Sequence, residues 1–319
     1  MLATTARRTV TWLMDFHNRT VLLRIGDFVF VTYGLLVAAA FSVGLALAAW
    51  YYGAIGQDPV SMVNLAVLLI LPGVMLGARG FSILLDGRAI FRDPVRTLLK
   101  PGYMLHGGVF GGILAMAGYA RFTGAELLPI MDAWALAMPL GEAVCRLGCF
   151  VYGCCFGSPT DGPVSVCYHS EHSKVVRTRP ELQGVPLHPA QVYATAAHTA
   201  QFLLFLALLP FIEHSGALTG LYMLTHPIIR AVLERYRLDD RGKLGVLTHT
   251  NIYSALQFLA GVVLVTLSGA WTARPMLDWS GNISAVVTSP SALAMWFVLA
   301  TVAALAFGLH YKKVGSWVD

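Results

Sequence analysis

Four polar clusters stand at the ends of apolar stretches long enough to cross a bilayer, and each carries a residue type able to do chemistry there. Arg146 lies within Cys145-Arg-Leu-Gly-Cys-Phe-Val-Tyr-Gly-Cys-Cys-Phe-Gly157. A guanidinium in that setting is costly unless a cavity, a counter-charge or an anionic ligand receives it, so the position carries functional information. The other clusters are His106-Gly-Gly-Val-Phe-Gly-Gly112, His188-Pro-Ala-Gln-Val-Tyr193, and Arg230 with Glu234 and Arg237. Together they point to a membrane-embedded pocket for the anionic head group of a lipid.

Each cluster has a chemical and a structural reading. A neutral imidazole at His106 is suited to taking a proton near neutral pH, and glycines beside it leave it open to a bound molecule. Equally, Gly107, Gly108, Gly111 and Gly112 suit helix-packing notches, with His106 bonding only a neighbouring carbonyl. Arg230, Glu234 and Arg237 fall at i, i+4 and i+7 and share one helix face. The planar fork of Arg matches a phosphodiester with paired hydrogen bonds. For Arg235, Arg237 and Arg241 an interfacial, snorkelling ladder is the better account, whereas Arg230 lies about two turns deeper. Gln191 and His198 are seven apart and share an inward face, with an interhelical hydrogen bond favoured for His198. Cys145, Cys149, Cys154, Cys155 and Cys167 read first as small apolar packing residues, then as a disulfide. A zinc site with His169 or His172 ranks last, because there is no pair of Cys-x-x-Cys knuckles and adjacent cysteines rarely share an ion.

The elements that must position these residues follow from composition. Of 319 residues 56% are hydrophobic and 12% charged, a balance unusual for a soluble domain, with a net charge of +5. The chain therefore reads as all-α: a polytopic transmembrane helical bundle of seven to eight spans, near 28–50, 60–78, 104–120, 127–145, 191–211, 216–234, 247–269 and 291–311. The third, interrupted by His106 and four glycines, has the weakest signal. Residues 1–319 form a single membrane domain, with a polar loop or cap at 150–188, carrying Pro159, Pro163, Pro180 and Pro186, between the fourth and fifth spans. A further C-terminal span is expected at about 290–311. The stretch to Arg24 has no continuous apolar run before a small-residue cleavage site. With eight spans, only Arg121 and Arg274 of the 22 Lys and Arg fall clearly on one side, which by the positive-inside rule makes the other side cytoplasmic.

At the four clusters the chain resembles the prolipoprotein diacylglyceryl transferase family, over about Tyr33 to residue 265. Tyr33-Gly34 is similar to the family's aromatic-glycine pair, Gly77-Ala-Arg79 to its early arginine, and His106-Gly107-Gly108 to its His-Gly-Gly motif. Arg146-Leu-Gly148 with Phe150, Gly153 and Gly157 resembles the signature segment; His188-Pro-Ala-Gln191 with Tyr193 resembles His-Pro-x-Gln-x-Tyr; Arg230, Glu234 and Arg237 fall at the family's Arg, Glu and Arg. The resemblance implies a bacterial inner-membrane enzyme that moves the diacylglyceryl group of phosphatidylglycerol to the lipobox cysteine thiol of a prolipoprotein signal peptide and releases glycerol phosphate. It implies no metal, no cofactor and no nucleic-acid partner; membrane lipids and the signal peptide are the partners. His106 would accept the thiol proton, Arg146 and Arg230 would stabilise the phosphate, Tyr33 would orient the lipid, and Glu234 would hold Arg230 or Arg237. Arg79, Gly107, Gly108, Gly157, His188, Gln191 and His226 would complete the substrate-binding set.

The chain departs from the family pattern in the signature. Cys149 and Tyr152 stand where Asn is usual, Cys154 where Glu is usual, and His226 where a tyrosine precedes the second arginine. These replacements remove amide and carboxylate partners, which keeps open a paralogue passing lipid to a non-protein acceptor; a lipid or anion transporter is a further alternative, since intramembrane Arg and His also mark substrate paths, but the sequence has no evident internal repeat or matching pair of broken helices to favour it. The family places the signature loop outside the cytoplasm, opposite to the side that the basic residues indicate.

Overall fold

The computed structural model describes residues 16–85, 87, 93, 104–238, 243–244, 247–267, 273–274, 277–279 and 284–315. Arg7, Arg8, Arg241 and most of the loop between the second and third expected spans lie outside the described residues. A short hairpin, β1 (Val21–Ile25) and β2 (Phe28–Val31), leads into α1 (Thr32–Ala54). Asp58 then caps α2 (Pro59–Leu65), accepting from the Val60 and Ser61 amides at 3.0 Å each, with Pro59 supplying the preset first helical φ. A π-helical stretch, Ala66–Ile70, carries α2 directly into α3 (Leu71–Leu85). There follow α4 (Leu105–Thr123), α5 (Leu127–Tyr152), a one-turn α6 (Lys174–Thr178), α7 (Ala190–Leu208) and α8 (Ala217–Glu234). The strand pair β3 (Lys243–Leu244) and β4 (Leu247–Thr248) precedes α9 (His249–Thr266), then α10 (Ser284–Thr288), α11 (Pro290–Gly308) and β5 (Leu309–Tyr311).

Among the described residues, five helical segments are long and apolar enough to cross a membrane: Thr32–Ala54, Pro59–Leu84, Leu127–Tyr152, Ala190–Phe211 and Pro290–Gly308. The expected spans near 104–120, 216–234 and 247–269 are also helices, but α4 carries His106 and Arg121, α8 carries His226, Arg230 and Glu234, and α9 opens on polar residues. Helices whose polar groups face inward need less average apolarity, because their neighbours receive those groups.

Small residues set the helix crossings. A Cβ at Gly111 would lie 2.0 Å from the Gly73 carbonyl oxygen, and one at Gly77 2.3 Å from the Gly107 oxygen, so α3 and α4 touch backbone to backbone. Gly34 meets Gly308 in the same way, its Cβ position 2.3 Å from the Gly308 Cα, which brings α11 against α1. In lipid, where burial of apolar surface does little to drive helices together, such close approach supplies the packing that does. Gly107 and Gly108, expected to face substrate, are both buried on this crossing: Gly107 abuts Gly77 and Phe81, Gly108 abuts Val74. Their lack of side chains lets His106 ride on a helix pressed against α3.

The bundle also carries β structure that an all-α reading lacks. β1, β2 and β5 form an antiparallel sheet, with Val29 opposite His310 and Phe30 opposite Leu309. Paired strands satisfy the backbone where α1 begins and α11 ends, and their shortness leaves no alternating signature to read. Between α5 and α7, residues 153–189 gather Phe156, Val166, Tyr168, Val175, Val176, Leu182 and Leu187 into a separate apolar cluster.

Gly111→Val should force α3 and α4 apart and lower the stability of the detergent-solubilised protein by about 1–3 kcal/mol, seen as a reduced thermal midpoint. Gly118→Ala, at a position with nothing within 4 Å, should leave the midpoint unchanged.

Candidate active site

Arg146 sits near the end of α5, half-buried, with Nη1 3.7 Å from the Cys155 sulfur. Its titratable neighbours are Cys149, Cys155, Glu142 and Cys145. Glu142 precedes it by one helical turn and therefore shares its face. That carboxylate joins three helices: Oε1 accepts from the Tyr222 hydroxyl at 2.8 Å, and Oε2 lies 3.0 Å from His198 Nε2 and 3.5 Å from His226 Nε2. On α7, His198 Nδ1 meets Gln201 Oε1 at 3.2 Å, and Gln201 donates to the Thr225 hydroxyl at 2.7 Å. His198 is thus held on both ring nitrogens, by Glu142 of α5 and by Gln201 of its own helix, which in turn reaches Thr225 of α8.

One face of α8 carries the rest at helical spacing: Tyr222, His226, Arg230 and Glu234, each one turn beyond the last. The His226 ring stacks at 5.1 Å on Tyr222 and at 5.8 Å on His198. Arg230 Nη2 reaches Glu234 Oε2 at 3.3 Å, so Glu234 holds Arg230. From α9, Gln257 lies near His226, and one turn away Tyr253 stacks on His106 with ring centroids 3.9 Å apart. A run of neighbouring polar groups therefore extends from His106 to Tyr253, along α9 to Gln257 near His226, and from His226 through Glu142 to Arg146 one turn up α5.

The second focus is Gly157. Its backbone pairs with Arg237, and a Cβ there would lie 2.3 Å from the His188 carbonyl oxygen and 2.9 Å from that of Tyr236. Only glycine permits three chain segments to meet that closely. The Ser158 amide donates to the Tyr236 carbonyl and the His188 amide to that of Ser158, which ties the chain after α5 to the start of α7 and the end of α8. His188 Nδ1 stands 3.4 Å from the Tyr193 hydroxyl, with Tyr236 edge-on at 5.2 Å. Gln191, 1% exposed, donates to the Cys154 carbonyl at 2.8 Å and the Tyr168 hydroxyl at 3.3 Å. Burial raises the Tyr168 pKa well above its ordinary value, so its hydroxyl stays protonated and donates to the Phe150 carbonyl at 3.0 Å.

Tyr33 packs across the bare Gly148 and against Tyr152, 5.3 Å between centroids, so the first helix reaches the signature. Arg79 is half-buried on α3 beside Ala78, whose carbonyl accepts from the Met104 amide just before α4. Of the sequence candidates, His106, Arg146 and His226 fall along the run of neighbouring polar groups, and Arg230 and Glu234 continue it along α8. His188, Gln191, Gly157 and Arg237 gather in the second group around Gly157. Sequence reasoning missed Glu142, Tyr222, Tyr253 and Gln257. Glu142 did carry a signal: a carboxylate inside an apolar span, four residues before an arginine, meets the same criterion that singled out Arg146.

The fold and these interior groups define an integral membrane protein with a polar centre built between helices. The profile of the family described as prolipoprotein diacylglyceryl transferase matches residues 20–267, and the chain belongs to that family. It is 26% identical over 216 residues to the phosphatidylglycerol–prolipoprotein diacylglyceryl transferase of Clostridium tetani, covering 66% of this chain and 82% of that protein. The transferase of the same name from Thermosynechococcus vestitus is 27% identical over 276 residues, covering 83% and 97%. That of Rhizobium leguminosarum bv. trifolii is 30% identical over 208 residues, covering 62% and 68%. Helix α11 lies beyond the matched profile.

Glu142→Ala should strip Tyr222, His198 and His226 of their shared acceptor and cost about 3 kcal/mol, read as a lower thermal midpoint in detergent. Glu142→Gln keeps an acceptor for Tyr222 and should lose less than half as much.

Proposed function

We propose that this chain transfers the diacylglyceryl group of phosphatidylglycerol to the lipobox cysteine thiol of a prolipoprotein signal peptide, releasing glycerol phosphate. Family membership and the names of its relatives support the reaction class. The observation that supports it in this molecule is the run of neighbouring polar groups between His106 and Arg146, drawn from distant parts of the chain: His106 stacked on Tyr253 of α9, and His226 and Glu142 beside Arg146.

In this reading His106 takes the thiol proton and the thiolate forms the new S–C bond to the glycerol carbon. The C–O bond to phosphate breaks, and Arg146 and Arg230 stabilise the charge that collects on the departing glycerol phosphate. Glu142 acts through the histidines and Arg146, as a positioning residue. An apolar cleft of about 400 Å³ between α7 and α8, lined by Tyr193, Ala197, Ile228, Ile229, Val232, Leu233 and Tyr236, suits acyl chains or the apolar part of the signal peptide. It lies beside Arg230 and beneath the His188 group, where a head group would be held with its tails toward lipid.

The proposal includes eight spans with both ends of the chain on one side of a bacterial inner membrane, and residues 150–188 as a cap over the pocket mouth. It places that mouth outside the cytoplasm, as the family reading implies. The basic residues along the same side then serve lipid phosphate in part.

With labelled phosphatidylglycerol and a lipobox peptide, purified protein should label the peptide; no label, where a known transferase works, overturns this acceptor. Arg146→Ala and Arg230→Ala, made singly, should each lower turnover about 10²–10³-fold. His106→Gln should lose turnover by at least about 10²-fold while still binding lipid; unchanged turnover removes the base. Reporter fusions at residues 20 and 170 should be active only on the extracytoplasmic side, and a cytosolic reporter active at 170 overturns the orientation.

A further inference from the structure

We propose that Cys149, Cys154 and Cys155 form a binding site for a thiophilic d10 cation, with Cu(I) as the ion it fits best. Their three sulfur atoms all lie within 4.8 Å of one another. Metal–sulfur bonds of roughly 2.3 Å set sulfurs around one ion about 4 Å apart, so only a small closure separates this arrangement from a coordinated one. Three sulfurs with no nitrogen or oxygen among the clustered ligand atoms select a soft ion over magnesium or calcium, and a trigonal set suits Cu(I) better than zinc, which takes four.

The backbone is shaped to make this cluster. Helix α5 stops at Gly153, φ 75°, and the amides of Gly153 and Cys154 both donate to the Cys149 carbonyl, at 2.9 and 3.2 Å. Cys155 then adopts φ 58°, one of two non-glycine residues with positive φ among those described. A left-handed cysteine is strained, and such strain gathers at functional positions. Here it answers the objection that neighbouring cysteines rarely share an ion: after the left-handed turn, Cys154 and Cys155 both bring their thiols to Cys149. The Gln191 amide fixes the same turn by donating to the Cys154 carbonyl.

Charge and access agree with the geometry. Three thiolates around a monovalent cation leave net negative charge, and the Arg146 guanidinium, 3.7 Å from the Cys155 sulfur, offsets part of it. Cys154 and Cys155 are partly exposed, while Cys149 is buried beneath them. All five cysteines are free thiols. The assignment of the site does not depend on which acceptor the transferase uses.

The test uses full-length protein, purified reduced in detergent and titrated anaerobically with Cu(I) against a coloured Cu(I) chelator. One Cu(I) per chain should leave the chelator, and X-ray absorption should show three sulfurs at about 2.3 Å. Cys154→Ser and Cys155→Ser, each confirmed folded by its melting curve, should weaken binding at least about 10²-fold, whereas Cys167→Ser should not. Retention of Cu(I) by the chelator overturns the proposal. So does wild-type affinity in either folded variant, or a Cu(I) site lost equally with Cys167→Ser.

Discussion

The interior of this bundle is organised by one carboxylate. Glu142 receives the Tyr222 hydroxyl and faces His198 and His226, so α5, α7 and α8 meet at a single pair of oxygens. In hydrocarbon an unreceived carboxylate is costly, and so are an unreceived phenol and two imidazoles; each makes the others tolerable. Because the partners come from three helices, the interaction specifies how those helices are rotated as well as that they touch. Arg146 owes its setting to the same group, standing one turn above it on α5 with the thiols on its other flank.

A second carboxylate does comparable work with no chemistry attached. Asp132, fully buried on α5, accepts from the Gly216 amide at 2.6 Å and from the Thr219 amide and hydroxyl at 2.8 and 2.7 Å. It thereby caps α8 from a neighbouring helix, meeting donors that the first turn of any helix leaves open. Asp132 sets the start of α8 and Glu142 its middle, so the polar face bearing His226 and Arg230 is aimed before any ligand arrives. The glycine crossings do the same for His106: α4 lies hard against α3, and the imidazole is carried to Tyr253 of α9.

The legible part of this architecture was what hydrocarbon forbids or length requires. Each of the eight expected stretches contains a helix among the described residues, and five of these helical segments are long and apolar enough to cross a membrane, since a run of apolar residues leaves the backbone few other ways to satisfy itself. Arg146, His106, Arg230 and Glu234 stood out because ionisable groups are rare at such positions. Glu142 met the same criterion, yet without Tyr222, His198 and His226 beside it in sequence there was nothing to show what it served. The glycines of the His106 cluster were ambiguous for a related reason: a missing side chain marks close approach but does not say whether a ligand or a helix approaches.

By itself the sequence determined the solvent, the helical class, the positions of the charged residues along the spans, and the family to which those residues point. All of these follow from local composition and order. Tertiary structure alone decided the partners: that Glu234 holds Arg230, that Gln257 lies near His226 and Tyr253 stacks on His106, that Gly107 and Gly108 abut α3, and that three cysteines converge. Those contacts depend on the rotation of each helix about its axis and on one left-handed turn at Cys155. Helix rotation is set by packing against neighbours distant in the chain, and that turn by the way residues 153–157 are tied to α7 and α8, neither of which a local pattern of residues encodes.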